Sequence, residues 1–324
     1  MDMQTVIKAP IENEMAQYES YFRLQFTSNI KLMDHALKYV GDGVGKMMRP
    51  MLVMLVAKSV GKVNECTFAA ASAMEMLHTA SLLHDDVIDE SDKRRGRSSL
   101  NIVFNNNVAV LAGDYLFSLA LSNAANTGDT RIISELSVLG KALAGGEVLQ
   151  FELQGSGEYT EENYLRVVYH KTASLFVCSA ACAAYTAGAS DDVVERFKKF
   201  GEYIGVCFQI KDDIFDYFSG DVGKPTGSDM REGKITIPAI YVMRESDNPL
   251  LEPIRKKLSS AEILSEEEIS TLIGISVNEG GIDYANSLIE RYRALALEAL
   301  PDDIPQDIYD ALVAYIDYTV QRNR

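Results

Sequence analysis

Small and apolar residues recur at helical spacing along the chain. They do so at Met74, Leu77, Ser81 and Leu82, at Ile132, Leu136, Leu139 and Leu143, and at Ile308, Leu312, Tyr315 and Ile316. Strand-like alternation bounded by turns is absent. No proline lies between Pro50 and Pro225, and helix formers such as Ala, Leu, Met and Glu fill most of that span. Helix starts are legible at Thr160 before Glu161 and Glu162, at Ser190 before Asp191, and at Ser265 with Glu268 in capping-box register. The pattern predicts an all-α fold of roughly ten to thirteen helices. No Ser/Gly-rich or Pro-rich linker and no internal repeat divides the chain, so one domain over residues 1–324 is expected.

Two irregular segments stand out. Gly41-Asp42-Gly43-Val44-Gly45-Lys46 precedes a helix opening near Pro50, and Ser219 to Thr236 is a polar loop containing Gly220, Gly223, Gly227 and Gly233. A loop of that length inside a compact domain is usually functional.

Composition narrows the function. With 47% hydrophobic and 24% charged residues the chain is an ordinary globular sequence, and 31 Lys+Arg against 47 Asp+Glu give a net charge of −16. Such acidity argues against a general partner for nucleic acid or anionic membrane. The four cysteines, Cys66, Cys178, Cys182 and Cys207, lack the paired spacing of a zinc site and are too few for a disulfide framework. Reduced thiols and the lack of a basic start followed by an apolar run point to a cytoplasmic protein without a signal peptide. Thr172 to Ser190 carries no charge but is built from Ala, Ser, Thr, Cys and Gly rather than Leu and Ile. A helix buried on all sides is expected there, without stable membrane insertion.

The strongest chemical feature is His84-Asp85-Asp86-Val87-Ile88-Asp89 within a helical pattern running from about Phe68. Asp85 and Asp89 are four residues apart, which sets their Cβ atoms about 5–6 Å apart on one helix face. Like charges so close repel unless a cation joins them. Mg²⁺ suits the pair, because it takes one or two carboxylates and completes its shell with water and phosphate oxygens. A solvated acidic helix end is the alternative. Ile210-Lys211-Asp212-Asp213-Ile214-Phe215-Asp216 repeats the spacing on a second helix, which favours a cage of carboxylates around several Mg²⁺ ions and one diphosphate.

Basic residues follow both clusters: Lys93, Arg94, Arg95 and Arg97 after the first, and Lys224, Arg231 and Lys234 after the second. Arg offers a planar fork for phosphate and Lys a movable point charge. Lys46 and Arg49 add a third basic site at a helix start, where free backbone N–H groups favour anions. Together these residues describe a pocket for two phosphorylated substrates.

The sequence resembles the trans-isoprenyl diphosphate synthases, the polyprenyl synthetase family, over roughly Gly43 to Pro238. The resemblance is carried by Gly45-Lys46-Met47-Met48-Arg49-Pro50, Glu75-Met76-Leu77-His78, Leu82-Leu83-His84-Asp85-Asp86-Val87-Ile88-Asp89 and Arg94-Arg95-Gly96-Arg97. It continues through Gly113-Asp114-Tyr115, Lys171-Thr172, Phe208-Gln209-Ile210-Lys211-Asp212-Asp213-Ile214-Phe215-Asp216, and Gly223-Lys224 to Gly233-Lys234. Val44 stands where the family usually has a second Gly, and Ser98 replaces a common Pro.

The resemblance implies the isoprenoid synthase fold, a single bundle around a central substrate cavity, usually as a homodimer. It also implies Mg²⁺-dependent condensation of isopentenyl diphosphate with an allylic prenyl diphosphate, using about three ions. Asp85, Asp86, Asp89, Asp212 and Asp216 would serve the metal, with Asp213 in support. Arg94, Lys171, Thr172, Gln209, Lys224 and Lys234 would hold the allylic diphosphate. Lys46, Arg49, His78 and Arg95 would hold isopentenyl diphosphate. Asp85, Asp89, Asp212 and Lys171 form the expected catalytic set.

Chain length should depend on what lies below the carboxylates. In the family large aromatic residues at the positions of Ala80 and Ser81 block elongation; both are small here, which implies a cavity open for at least another turn, about 5.4 Å. Leu77 becomes a candidate for the floor, and a medium- or long-chain product of about C30–C40 is expected. The alternatives are a farnesyl or geranylgeranyl diphosphate synthase, a class I terpene cyclase and a non-catalytic synthase subunit. The intact second motif and the Lys46, Arg49 and Arg95 cations argue against the last two.

Overall fold

A computed structural model describes residues 3–43, 45–218 and 226–322. The chain opens with α1 (Met3–Lys8), α2 (Glu12–Arg23), α3 (Lys31–Gly41), α4 (Met48–Val60) and α5 (Glu65–Ile88). A two-stranded ribbon, β1 (Lys93–Arg94) antiparallel to β2 (Arg97–Ser98), precedes α6 (Leu100–Val103), α7 (Asn106–Asn126) and α8 (Thr130–Ser156). Next come α9 (Glu161–Val168), a π-helical turn (Tyr169–Ala173), α10 (Ser174–Thr186) and α11 (Asp191–Phe215). The chain closes with α12 (Ser228–Arg231), α13 (Ile237–Glu245), α14 (Leu251–Ser259), α15 (Glu266–Asn278), α16 (Gly281–Ala299) and α17 (Gln306–Gln321). The all-α expectation holds, and short pieces such as α1, α6 and α12 add segments to the long helices legible in the sequence.

The chain forms two compact units. The first comprises Met1–Gly140, Leu175–Lys198 and Pro301–Tyr315, and the second Lys141–Ser174, Lys199–Leu300 and Ile316–Arg324. In the first unit α4 is apolar on every side, with Leu52 through Ala57 buried, as expected of a helix enclosed by others. Asn64 starts α5 with a reciprocal cap: its side chain accepts from Thr67 N at 3.1 Å, and its own N–H reaches Thr67 Oγ1 at 3.2 Å. Small buried residues on α7, among them Ala109, Ala112, Ala120 and Ala124, let α5 pack closely against it. Tyr18 and Phe22 of α2 are buried and stacked, their ring centroids 5.6 Å apart.

In the second unit one cluster gathers Val168, Val206, Ile210, Ile214, Ile237 and Leu288, and a neighbouring one gathers Tyr217, Ile240, Leu251, Leu258 and Leu272. These cores fix α11, which carries the second aspartate motif. The uncharged stretch of α10 is buried from Ser179 through Ala184, as its small residues predicted. By length and composition the runs Asn106–Asn126 and Glu161–Thr186 are apolar enough to cross a membrane, but 67% of the window in the latter is buried within the protein. The capping box at Ser265 and Glu268 and the Thr160 cap are present, and the four cysteines are free thiols.

Candidate active site

The first aspartate motif lies at the C-terminal end of α5. Asp85 and Asp86 occupy its last turn and Asp89 caps it, with Asp89 N–H bonded to Asp85 O at 2.8 Å. No basic residue stands in that turn. A helix C-terminus carries partial negative charge, so acidic side chains there are disfavoured twice, by each other and by the helix. Glu90 then takes a left-handed conformation, φ 50°, and Ser91 N–H bonds back to Asp86 O at 2.9 Å. This is a Schellman closure made without glycine.

The ribbon that follows was not legible in the sequence. Lys93 pairs with Ser98 and Arg94 with Arg97 around a two-residue turn, Arg95-Gly96, in which both φ values are positive, 52° and 75°. That is the type I′ geometry matching the twist of a hairpin. It sends three arginines in different directions. Arg94 gives Asp86 Oδ1 two bonds, from Nε at 2.8 Å and Nη2 at 2.5 Å, while the Asp86 side chain is only 3% exposed. Arg95 Nη1 donates to Gly43 O at 3.2 Å. Arg97 lies over the Tyr39 ring at 4.3 Å and donates to Tyr39 O, which anchors the end of α3. Asp86, expected among the metal ligands, is thus engaged by Arg94, whereas Asp85 and Asp89 keep the one-turn spacing.

Beside it basic residues gather around the buried His78. The left-handed Met47, φ 52°, leads into α4, whose first turn has no side-chain cap and contains Arg49. A Cβ at Gly45 would stand 2.9 Å from Nη1 of Arg95, so a larger residue there would have to displace that guanidinium. His78 is 9% exposed, and burial together with Arg49, Arg95 and Arg94 holds its pKa well below the usual histidine range. The buried His78 Nδ1 and Arg49 Nε have no hydrogen-bond partner. Buried polar groups left unmet are rare, and a ligand would satisfy these two. An anion fits, because the surrounding charge is positive. Glu75, with Oε2 3.5 Å from Arg49 Nη1, is the carboxylate in this group.

The second aspartate motif lies at the C-terminal end of α11, again without a basic residue in the last turn. Asp212 Oδ1 accepts from Arg322 Nη2 at 2.6 Å. The Arg322 guanidinium also stacks on Phe208 at 3.8 Å and donates to Phe208 O at 2.9 Å. Burial raises the Asp212 pKa, and Arg322 opposes the rise. Asp213 is buried and accepts from Tyr164 Oη at 2.6 Å and Gln209 Nε2 at 2.7 Å. Burial and Asp229 push its pKa up to about 8. Asp216 accepts from Ser228 N and Oγ at 3.0 and 2.6 Å and from Asp229 N at 3.1 Å, capping α12.

Lys171 and Thr172 sit in the π-helical turn, a local widening often found at functional sites. Lys171 Nζ contacts Glu147 Oε1 at 2.5 Å and Gln150 Oε1 at 2.9 Å. Thr172 Oγ1 donates to Gln209 Oε1 at 2.6 Å, so Gln209 links Thr172 to Asp213. The α8 backbone approaches closely enough that a Cβ at Gly146 would meet Lys171 Cγ at 2.8 Å. Lys234 pairs with Glu232 at 2.6 Å, and Arg231 is held by Glu266. Lys224 and Val44 lie outside the described residues. Glu147, Gln150, Tyr164 and Arg322 escaped sequence reasoning, because each reaches its partner across a long sequence separation.

The donors fit a hard divalent cation. Carboxylates at two helix ends lack basic neighbours in the same turn. Among the described residues no three acidic, His or Cys side chains converge as a cluster able to hold an ion. A divalent ion held by either aspartate pair would have to complete its shell with water and substrate oxygens.

Helical architecture, paired aspartate motifs and arginine-lined anion sites define a prenyltransferase. Residues 30–272 match the model of the polyprenyl synthetase family, and the chain belongs to that family. It is 33% identical over 313 residues to an octaprenyl diphosphate synthase of Haemophilus influenzae, covering 96% of this chain and 94% of that protein. The fold matches a geranylgeranyl pyrophosphate synthase of Bacteroides thetaiotaomicron with TM-score 0.85 and 41% identity, over 99% and 100% of the two chains. It also matches a polyprenyl synthase of Caulobacter crescentus, solved with calcium and isoprenyl diphosphate, with TM-score 0.89 and 28% identity over 98% and 97%.

Proposed function

We propose that the protein extends an allylic prenyl diphosphate with isopentenyl diphosphate, using Mg²⁺, to a medium- or long-chain trans-polyprenyl diphosphate of about C30–C40, the small side chains of Ala80 and Ser81 and the likeness to an octaprenyl diphosphate synthase supporting the length. Lys46, Arg49, His78 and Arg95 hold isopentenyl diphosphate. The observation that carries this reading is the pair of buried, unpartnered nitrogens, Arg49 Nε and His78 Nδ1, in an arginine-rich pocket. Arg94, Lys171, Thr172, Gln209, Lys224 and Lys234 hold the allylic diphosphate.

Asp85, Asp89, Asp212 and Asp216 hold the ions, with Asp86 and Asp213 fixing Arg94 and Gln209 beside them. Bound divalent ions supply neutralisation of the charge that develops on the leaving diphosphate. The C1–O bond of the allylic substrate then breaks, the isopentenyl double bond attacks C1, and a proton is lost to the departing diphosphate. Keeping His78 neutral leaves it a hydrogen-bond donor rather than an acid.

The chain acts as one domain in the cytoplasm and as a homodimer. Support for the dimer comes from α7, which exposes Val110, Leu111, Phe117 and Leu121, the second at 57%. Incubation of the purified chain with labelled isopentenyl diphosphate, farnesyl diphosphate and Mg²⁺ tests the reading, with Asp85→Ala as control and products read by mass spectrometry. C30 or longer product supports it and no incorporation overturns it. Arrest at C20 supports a second reading, a geranylgeranyl diphosphate synthase, which the resemblance to the Bacteroides protein favours.

A further inference from the structure

The subsite assigned to isopentenyl diphosphate holds a carboxylate among its cations. Glu75 stands one turn before His78 on α5, its side chain 5% exposed; its Oε2 lies 3.5 Å from Arg49 Nη1 and has no hydrogen-bond partner. At that distance the carboxylate steers Arg49 by charge but leaves its donors unclaimed. Burying a carboxylate is costly unless nearby charge offsets the loss of water, and an incoming diphosphate draws on the same cations.

The order of bond changes gives this arrangement a consequence. C4 of isopentenyl diphosphate bonds to C1 of the allylic substrate as the C1–O bond breaks. The electron pair leaves with the allylic diphosphate, and a proton leaves C2. The lengthened product therefore carries the diphosphate that arrived with the isopentenyl unit, still seated by Arg49, His78 and Arg95. A further round requires that group to move to the subsite of the allylic diphosphate.

We infer that Glu75 is a positioning residue that promotes this hand-over. Its charge aligns Arg49 while the subsite is empty. It then repels the seated diphosphate, which keeps retention weak enough for the product to move on and be extended. The inference rests on the subsite reading given above.

Calorimetric titration of the metal-free protein with isopentenyl diphosphate tests it, together with the product profile from farnesyl diphosphate, isopentenyl diphosphate and Mg²⁺. Glu75→Gln keeps the size and removes the charge. It is expected to bind isopentenyl diphosphate about tenfold tighter, to lower KM and kcat together, and to shift products toward shorter chains. Glu75→Asp, which retains the charge, should keep the wild-type distribution. Equal or weaker binding by Glu75→Gln, or an unshifted distribution, overturns the inference. Should Glu75→Gln not fold, Glu75→Ala is read in the same way. Unchanged binding in Arg49→Ala would instead overturn the subsite reading, whatever the Glu75 variants do.

Discussion

His84 on α5 lies so close to Gly113 on α7 that a Cβ at position 113 would stand 2.3 Å from its Nε2. The same nitrogen is 3.2 Å from Val110 O and 3.5 Å from Asp114 Oδ1. The imidazole thus holds the turn carrying Asp85 against α7. Gly113→Ala must push the helices apart or turn the ring away, at a cost of about 1–3 kcal/mol. Urea unfolding should show the loss and initial rates of isopentenyl incorporation should fall. Wild-type behaviour in both would show that the contact constrains nothing.

Arg94 and Asp86 form a charge-assisted pair in which the carboxylate is the buried partner. Arg94→Ala leaves that carboxylate without its cation and is expected to destabilise by about 1–3 kcal/mol. Adding Asp86→Asn should recover much of the stability, because the uncompensated charge disappears, but not the activity. Calorimetric melting of the single and double variants measures the coupling, and strict additivity would contradict it.

His78 gives a pH dependence of definite sign. Its folded-state pKa lies below the ordinary value, so below about pH 6.5 the unfolded chain binds a proton that the folded chain refuses. This contribution to stability is complete above that pH and is lost as pH falls toward the depressed folded value. Wild type should therefore lose Tm relative to His78→Asn between about pH 7.5 and 5.5. Parallel curves would mean that the imidazole titrates normally.

The sequence made α5, both aspartate motifs and the helix caps legible, because each is written in local spacing: four residues between Asp85 and Asp89, three between Ser265 and Glu268. The hairpin was hidden because its strands have two residues each, and Arg95 fills a left-handed position where Asn or Gly is the usual signal. The π-helical turn was hidden because Tyr169–Ala173 has an unremarkable helical composition. The pairing of Lys171 with Glu147 spans 24 residues, and that of Arg322 with Asp212 spans 110, and no local pattern reports either.

Elongation can be probed at the three positions singled out for chain length. Around α5, Ser81 is only about 40° from Asp85, Leu77 about 80° and Ala80 about 140°. Ser81 is partly buried, whereas Ala80 and Leu77 are 1% and 3% exposed. Ser81→Phe should therefore shorten the product most directly. Ala80→Phe should shorten it too, at a larger cost in stability from overpacking. Mass spectrometry of the products decides. An unchanged distribution in both variants would place the wall of the elongation path elsewhere.

The widened turn at Tyr169–Ala173 makes the spacing between the Lys171-Thr172 pair and the preceding helix intolerant of length change. Deleting one residue between Leu165 and His170 while the widened turn persists would swing Lys171 by about 100° around the axis. It would part at once from Glu147 and Gln150 on α8, and Thr172 from Gln209 on α11. Point substitution can tune this corner of the protein, but insertions and deletions cannot enter it without dismantling three helices' worth of contacts.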